Sequence, residues 1–68
     1  MNTDKVIVLA RKQIRWDTDG NSSARLCLAD AVHLQAEGRL DDAKRRALDS
    51  LKHSVGIFHA DYRRAVKV

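Results

Sequence analysis

The sequence predicts an all-α fold, a small three-helix domain in which helices 2 and 3 form an antiparallel hairpin beside an N-terminal helix. Helix-favouring Ala, Leu, Arg, Lys and Glu dominate the chain, and proline is absent. Gly20, Gly38 and Gly56 divide it into segments of helical length. Apolar residues recur at helical spacing, and strand-like alternation is absent outside residues 6–9. Because 68 residues build at most one hydrophobic core, residues 1–68 are predicted to form a single domain.

Helix 1 is predicted over residues 3–16. Thr3 or the residue before it can cap the helix, and Asp4 in the first turn meets the positive end of the helix dipole. The side expected to face the core groups Val6, Ile7, Ala10 and Ile14. The opposite side carries a basic strip of Lys5, Arg11, Lys12 and Arg15.

Residues 17–21 are predicted to form a loop, and helix 2 is predicted over residues 22–37. The loop consists of Asp, Thr, Gly and Asn, residue types that favour turns and helix caps. Gly38 is suited to the left-handed position that follows a helix. A broad apolar arc groups Ala24, Cys27, Leu28, Ala31, Val32 and Leu34, which makes helix 2 the expected centre of the domain.

Helix 3 is predicted to begin at Leu40 or Asp41 and to reach about residue 58, with Gly56 either ending it or bending it. Its apolar side groups Leu40, Ala47, Leu48, Leu51, Val55 and Phe58. Phe58 is therefore a predicted core residue. Residues 60–68 are predicted as a basic tail with room for a short fourth helical turn.

The turn after helix 2 resembles the middle of a tetratricopeptide helical hairpin. Gly38-Arg39-Leu40-Asp41-Asp42-Ala43, preceded by Ala31 and followed by Ala47, carries the resemblance, which covers about half of the chain. Cys27 and Leu34 replace the aromatic residues usual in the first helix of that hairpin, and the closing proline is absent. The resemblance implies a protein-binding hairpin without catalytic chemistry.

Residues with catalytic or metal-binding chemistry do not group into a site. Asp17-x-Asp19 starts like a calcium loop, but Gly20 comes too early and no carboxylate closes the loop at its twelfth position. No two of the three histidines and the one cysteine are spaced to share a helical turn, and Cys27 falls in an apolar arc. We therefore expect no metal, no cofactor and no enzymatic activity.

The formal net charge of +4 favours anionic partners in general. Nucleic-acid binding is one hypothesis, with phosphates neutralised by the basic strip and by two arginines near the C-terminus. The candidate anion-binding residues are Lys5, Arg11, Lys12, Arg15, Arg63 and Arg64.

The favoured hypothesis is a non-enzymatic protein-interaction module, because several apolar residues fall on polar helix faces. The candidate interface residues are Val8, Trp16, Leu26 and Ile57. A homodimer is expected, since a chain of this size gains burial by pairing. A single cysteine and the lack of a long apolar run predict cytoplasmic residence.

Overall fold

A computed structural model describes residues 3–16 and 22–67, and every regular element in those ranges is a helix. The helices are α1 (Thr3–Trp16), α2 (Ser22–Ala36), α3 (Leu40–Val55) and α4 (Ala60–Lys67). The predicted all-α fold is confirmed, including the hairpin of α2 and α3, whose mutual packing is the most extensive. The predicted loop at 17–21, with the Asp17-x-Asp19 motif, lies outside the described residues.

The helices alternate in direction, as three hydrogen bonds between distant residues indicate. Thr3 Oγ1 donates to the carbonyl oxygen of Leu40 at 3.2 Å, which brings the starts of α1 and α3 together. The side-chain amide of Gln35, near the end of α2, donates to Asp4 at the start of α1. Gln13, near the end of α1, donates to Asp61 at the start of α4. The last helix therefore runs back along α1.

Gly38 ends α2 in the manner predicted. Its φ is +81°, a left-handed conformation that glycine adopts without steric cost. The Arg39 N–H donates to the carbonyl of Leu34 at 2.9 Å, and the Gly38 N–H donates to that of Gln35 at 3.0 Å. This pair of bonds is a Schellman motif, which satisfies carbonyls at the helix end and turns the chain directly into α3.

The C-terminal third differs from the prediction at two points. Gly56 has a φ of +88°, outside the right-handed helical region, so α3 ends at Val55 instead of near residue 58. The predicted core position of Phe58 is wrong, because the side chain follows the end of the helix and is 89% exposed. The predicted tail at 60–68 contains an eight-residue helix, α4, which buries Ala65.

Small residues line the interface between α2 and α3. Ser50 on α3 is fully buried, and its hydroxyl donates to the carbonyl oxygen of Ala24 on α2 at 2.8 Å. A side chain as short as serine reaches a neighbouring backbone only when two helices approach closely. The other small residues buried on these two helices are Cys27, Ala31, Ala43 and Ala47.

Larger apolar residues come mainly from α1 and the second half of α3. Val6, Ile7 and Leu51 are buried in the core beside the alanines. Leu40, predicted on the apolar side of α3, is 43% exposed because it is the first residue of that helix. The core of the described chain is therefore rich in alanine and contains few large side chains.

An ion pair on the surface also joins α2 to α3. Arg46 lies 2.8 Å from Asp30 on α2 and 3.6 Å from Asp49 on its own helix. The hydrogen bond to Asp30 raises the pKa of Arg46 above its usual range. Because the guanidinium is accessible to solvent, this ion pair contributes little to the free energy of folding. Its main effect is on how α2 and α3 are placed relative to each other.

Candidate functional site

An open groove of about 420 Å³ lies between α1 and α4, and we call it the α1/α4 groove. Its lining surface is largely apolar, although three of the five lining residues carry a charge. The lining residues are Asp4, Lys5, Val8 and Leu9 from α1 and Arg64 from α4.

The groove forms because one side of α1 faces the core and the other side faces solvent. Val6, Ile7 and Ala10 turn inward and are buried. At 100° per residue, Val8 then lies on the opposite side of the helix, and Leu9 lies between the two sides. Leu9 is accordingly half-buried and packs against the core, whereas Val8 is 62% exposed. The apolar floor thus continues from the core to the surface.

The second wall of the groove is α4. This helix rests on the domain through buried Ala65 and half-buried Tyr62, which packs against the core. The Gln13–Asp61 hydrogen bond fixes its beginning against the end of α1. Arg64, next to the buried Ala65, then borders the groove at the level of Val8 and Leu9.

The solvent side of α1 is positively charged around this groove. Lys5, Arg11 and Lys12 are exposed, and none of them makes an ion pair with a carboxylate in the described parts of the chain. Lys5 and Lys12 lie two turns apart on the same side of the helix, with Val8 between them. Val8 is therefore surrounded by basic side chains.

Two other charged residues, Asp4 and Arg64, contribute to the electrostatic potential of the groove. Asp4 is its acidic lining residue, and one of its oxygens accepts a hydrogen bond from Gln35. The Arg64 guanidinium lies 4.0 Å from Asp61, at the outer limit for an ion pair, and its side chain is 69% exposed. Arg64 therefore retains most of its capacity to bind another carboxylate.

Residues predicted for two different sites meet in this groove. Lys5 and Arg64 were candidates for anion binding, whereas Val8 was a candidate for a protein interface; all three line the groove. Arg11 and Lys12 extend the basic surface along α1, and the exposed Arg63 lies on α4. The side chains of the remaining two α1 candidates lie outside the described part of the structure; they are Arg15 and Trp16.

The other predicted interface residues lie away from the groove. Leu26 is 67% exposed on α2, and Ile57 is exposed in the turn between α3 and α4. The prediction missed Phe58, whose apolar ring is exposed in that same turn, and it missed Leu9 as part of the floor. Leu9 lies at the border of the apolar face of α1, and this position could have indicated a partly exposed residue. The groove itself could not be inferred, because α4 forms its other side and was not predicted as a full helix.

The ionisable residues serve structural roles where their contacts are described. Cys27 is buried, as its predicted place in the core requires. His33 contacts Glu37 at 2.8 Å on the surface of α2, and His59 Nδ1 accepts the N–H of Asp61 at 3.0 Å.

Within residues 3–16 and 22–67, no three side chains of His, Cys, Asp or Glu are grouped so that they could hold a metal ion. None of the helices in these ranges is long and apolar enough to cross a membrane.

The fold and groove define a small all-α domain that exposes an apolar cleft bordered by basic residues. Comparisons with protein-family models, with curated proteins and with solved structures found no match. The resemblance to a tetratricopeptide hairpin is therefore not supported by a family match.

Proposed function

We propose that this chain is a non-enzymatic helical protein-interaction module that binds a partner at the α1/α4 groove. The observation that supports this most directly is the apolar floor of Val8 and Leu9, which is open to solvent. Apolar side chains at the bottom of a cleft are best covered by another apolar group, and a protein partner can supply one. Cytoplasmic residence belongs to the same proposal and rests on the single cysteine.

The distribution of apolar residues supports the same function. The buried core contains six alanines and only three larger aliphatic residues, whereas six large apolar side chains of the described ranges are exposed. Single exposed apolar residues are common in any protein, but a domain with so small a core gains stability by covering them. The exposed large apolar residues are Val8, Leu26, Leu40, Ile57, Phe58 and Val66.

Self-association remains a prediction, and the charges indicate that it would occur away from the groove. A two-fold contact through the groove would bring Lys5, Lys12 and Arg64 against the same residues of a second copy, and like charges at an interface are unfavourable. Ile57 and Phe58 are exposed apolar neighbours in the α3–α4 turn, outside that basic surface. We therefore propose this turn as the contact of a homodimer.

The proposal is tested by affinity capture together with light scattering after size-exclusion chromatography. The bait proteins are the wild type, Val8→Asp in the groove, and Leu26→Asp as a control with a similarly exposed apolar residue on α2. We expect the wild type and the control to capture the same protein, and Val8→Asp to lose it. A chain that stays monomeric at high concentration and captures no partner would contradict the proposed function.

Nucleic-acid binding is a second candidate function, because Lys5, Arg11 and Lys12 have no described carboxylate partner. Phosphate contacts made by these residues would release counterions, so the affinity for a duplex would fall steeply as salt increases. Fluorescence anisotropy with a mixed-sequence DNA duplex at several salt concentrations measures this slope. An affinity that does not change as salt is lowered would eliminate this candidate.

A further inference from the structure

We infer that the partner of the α1/α4 groove is an acidic amphipathic protein segment, which inserts an apolar side chain between α1 and α4 and pairs its carboxylates with the basic residues around it. This inference rests on the proposed function and adds the chemical class of the partner. The observation that carries it is the combination of an apolar floor with a basic border on one small surface.

The floor determines what enters the groove. Val8 and Leu9 offer no described hydrogen-bonding side chain at its bottom, and the volume of about 420 Å³ accommodates only a short stretch of a partner. The lining positions of α1 extend from residue 4 to residue 9, about 7.5 Å at the rise of an α-helix. This length matches one to two turns of a docked helix, so one or two apolar anchor side chains fill it.

The border determines which charges surround those anchors. Lys5 and Lys12 lie one turn on either side of Val8. Arg64 lines the groove from α4 together with Lys5. A partner helix that carries Glu or Asp one turn before and after its anchor places carboxylates near all three cations. Asp4 keeps its negative charge while it accepts the hydrogen bond from Gln35. The cations of Lys5, Lys12 and Arg64 outnumber this one carboxylate, so the surface as a whole attracts an acidic segment.

Two other occupants fit the same surface less well. A second copy of this chain would place cations against cations, as described above. A nucleic-acid backbone would satisfy the cations but has no apolar group that matches the floor of Val8 and Leu9. An acidic amphipathic segment satisfies both parts of the surface at once.

Two synthetic helical peptides of about 18 residues, long enough to form a helix, provide the first test. They share the same two leucine anchors at i and i+4, and differ only in that one carries glutamates beside the anchors and the other carries lysines. Binding to the full ¹⁵N-labelled chain is followed by fluorescence anisotropy and by amide chemical shifts. We expect the acidic peptide alone to bind, with shifts at residues 4–9 and around Arg64.

Variants of the groove provide the second test. Val8→Asp should weaken binding of the acidic peptide about tenfold or more, because it places a carboxylate against the leucine anchors and glutamates of the peptide, while Leu26→Asp leaves binding unchanged. The double variant Lys5→Glu, Arg64→Glu should reverse the preference, so that it binds the lysine peptide better than the glutamate peptide. Circular dichroism of each variant verifies that the helices are intact, and the reversal cannot arise from a protein that has lost its fold.

Several results would overturn the inference. Equal binding of the two peptides, shifts that lie away from the groove, or an unchanged preference in the double variant would each exclude an acidic partner at this site. A DNA duplex that shifts the same amides, in competition with the acidic peptide and at physiological salt, would assign the groove to nucleic acid. The proposed function would survive a negative peptide result if affinity capture still recovered a partner that is lost with Val8→Asp and retained with Leu26→Asp.

Discussion

The hydroxyl of Ser50 lies 2.8 Å from the carbonyl oxygen of Ala24, and this hydrogen bond joins α3 to α2. Both residues are fully buried. A larger residue at either position would push the helices apart. The hydrogen bond therefore shows that α2 and α3 pack closely, and the domain depends on this packing. The first two predictions concern this interface.

Replacement of Ser50 by alanine should destabilise the domain by about 1 kcal/mol, the net value of a typical hydrogen bond. The smaller side chain leaves the approach of the helices unchanged, so only the hydrogen bond is lost. Urea unfolding followed by circular dichroism measures the difference in free energy of unfolding. A variant as stable as the wild type would show that this bond adds nothing to the packing of α2 against α3.

Replacement of Ala47 by leucine tests the packing itself. Ala47 is fully buried in the alanine-rich core, where there is no space for a longer side chain. Overpacking of this kind costs about 1–3 kcal/mol. The matched control is Ala36→Leu on the exposed side of α2, which should change the midpoint of urea unfolding little. Equal midpoints for the two variants would contradict the close approach of α2 and α3.

The left-handed conformation of Gly38 leads to a third prediction. An added Cβ at this position meets no atom within 4 Å, so any cost of Gly38→Ala comes from its φ of +81° and not from a collision with a neighbour. We expect a loss of about 1–2 kcal/mol for alanine and a smaller loss for Gly38→Asn, since asparagine tolerates this region better. Thermal unfolding of the two variants and the wild type gives the order of stabilities. A Gly38→Ala variant equal to the wild type would contradict the Schellman motif.

The all-α fold and three of the four helices could be predicted from sequence because apolar periodicity and glycine positions depend on local chemistry. The end of α3 could not be predicted from the sequence, because a glycine such as Gly56 can either bend a helix or end it. Its φ of +88° depends on the conformation of the residues that follow. The misplacement of Phe58 followed from that boundary. The set of residues that lines the groove could not be predicted either, because Lys5 and Arg64 come together only when α4 folds back along α1.

The exposed position of Phe58 gives a fourth prediction, which separates a surface role from a role in the core. At a protein concentration low enough for the wild type to be monomeric, Phe58→Ser should change the free energy of unfolding by no more than about 0.5 kcal/mol, as is usual for a surface substitution, whereas loss of a core phenylalanine costs about 3–5 kcal/mol. The same variant should abolish a homodimer that forms through the α3–α4 turn. Light scattering and urea unfolding measure the two effects separately. A large loss of stability in a monomeric variant would place Phe58 in the core after all.

The last prediction concerns His59, whose Nδ1 accepts the backbone N–H of Asp61 and thereby caps α4. Loss of such a cap in His59→Ala should cost about 0.5–2 kcal/mol, and the effect should fall mainly on α4, which buries only Ala65. His59→Asp is the matched control, because its carboxylate also accepts from the helix N-terminus and interacts favourably with the helix dipole. Amide hydrogen exchange should therefore be faster across Ala60–Lys67 in the alanine variant and unchanged or slower in the aspartate variant. Since α4 forms one wall of the α1/α4 groove, the alanine variant should also bind the acidic peptide more weakly, and the aspartate variant should restore that binding.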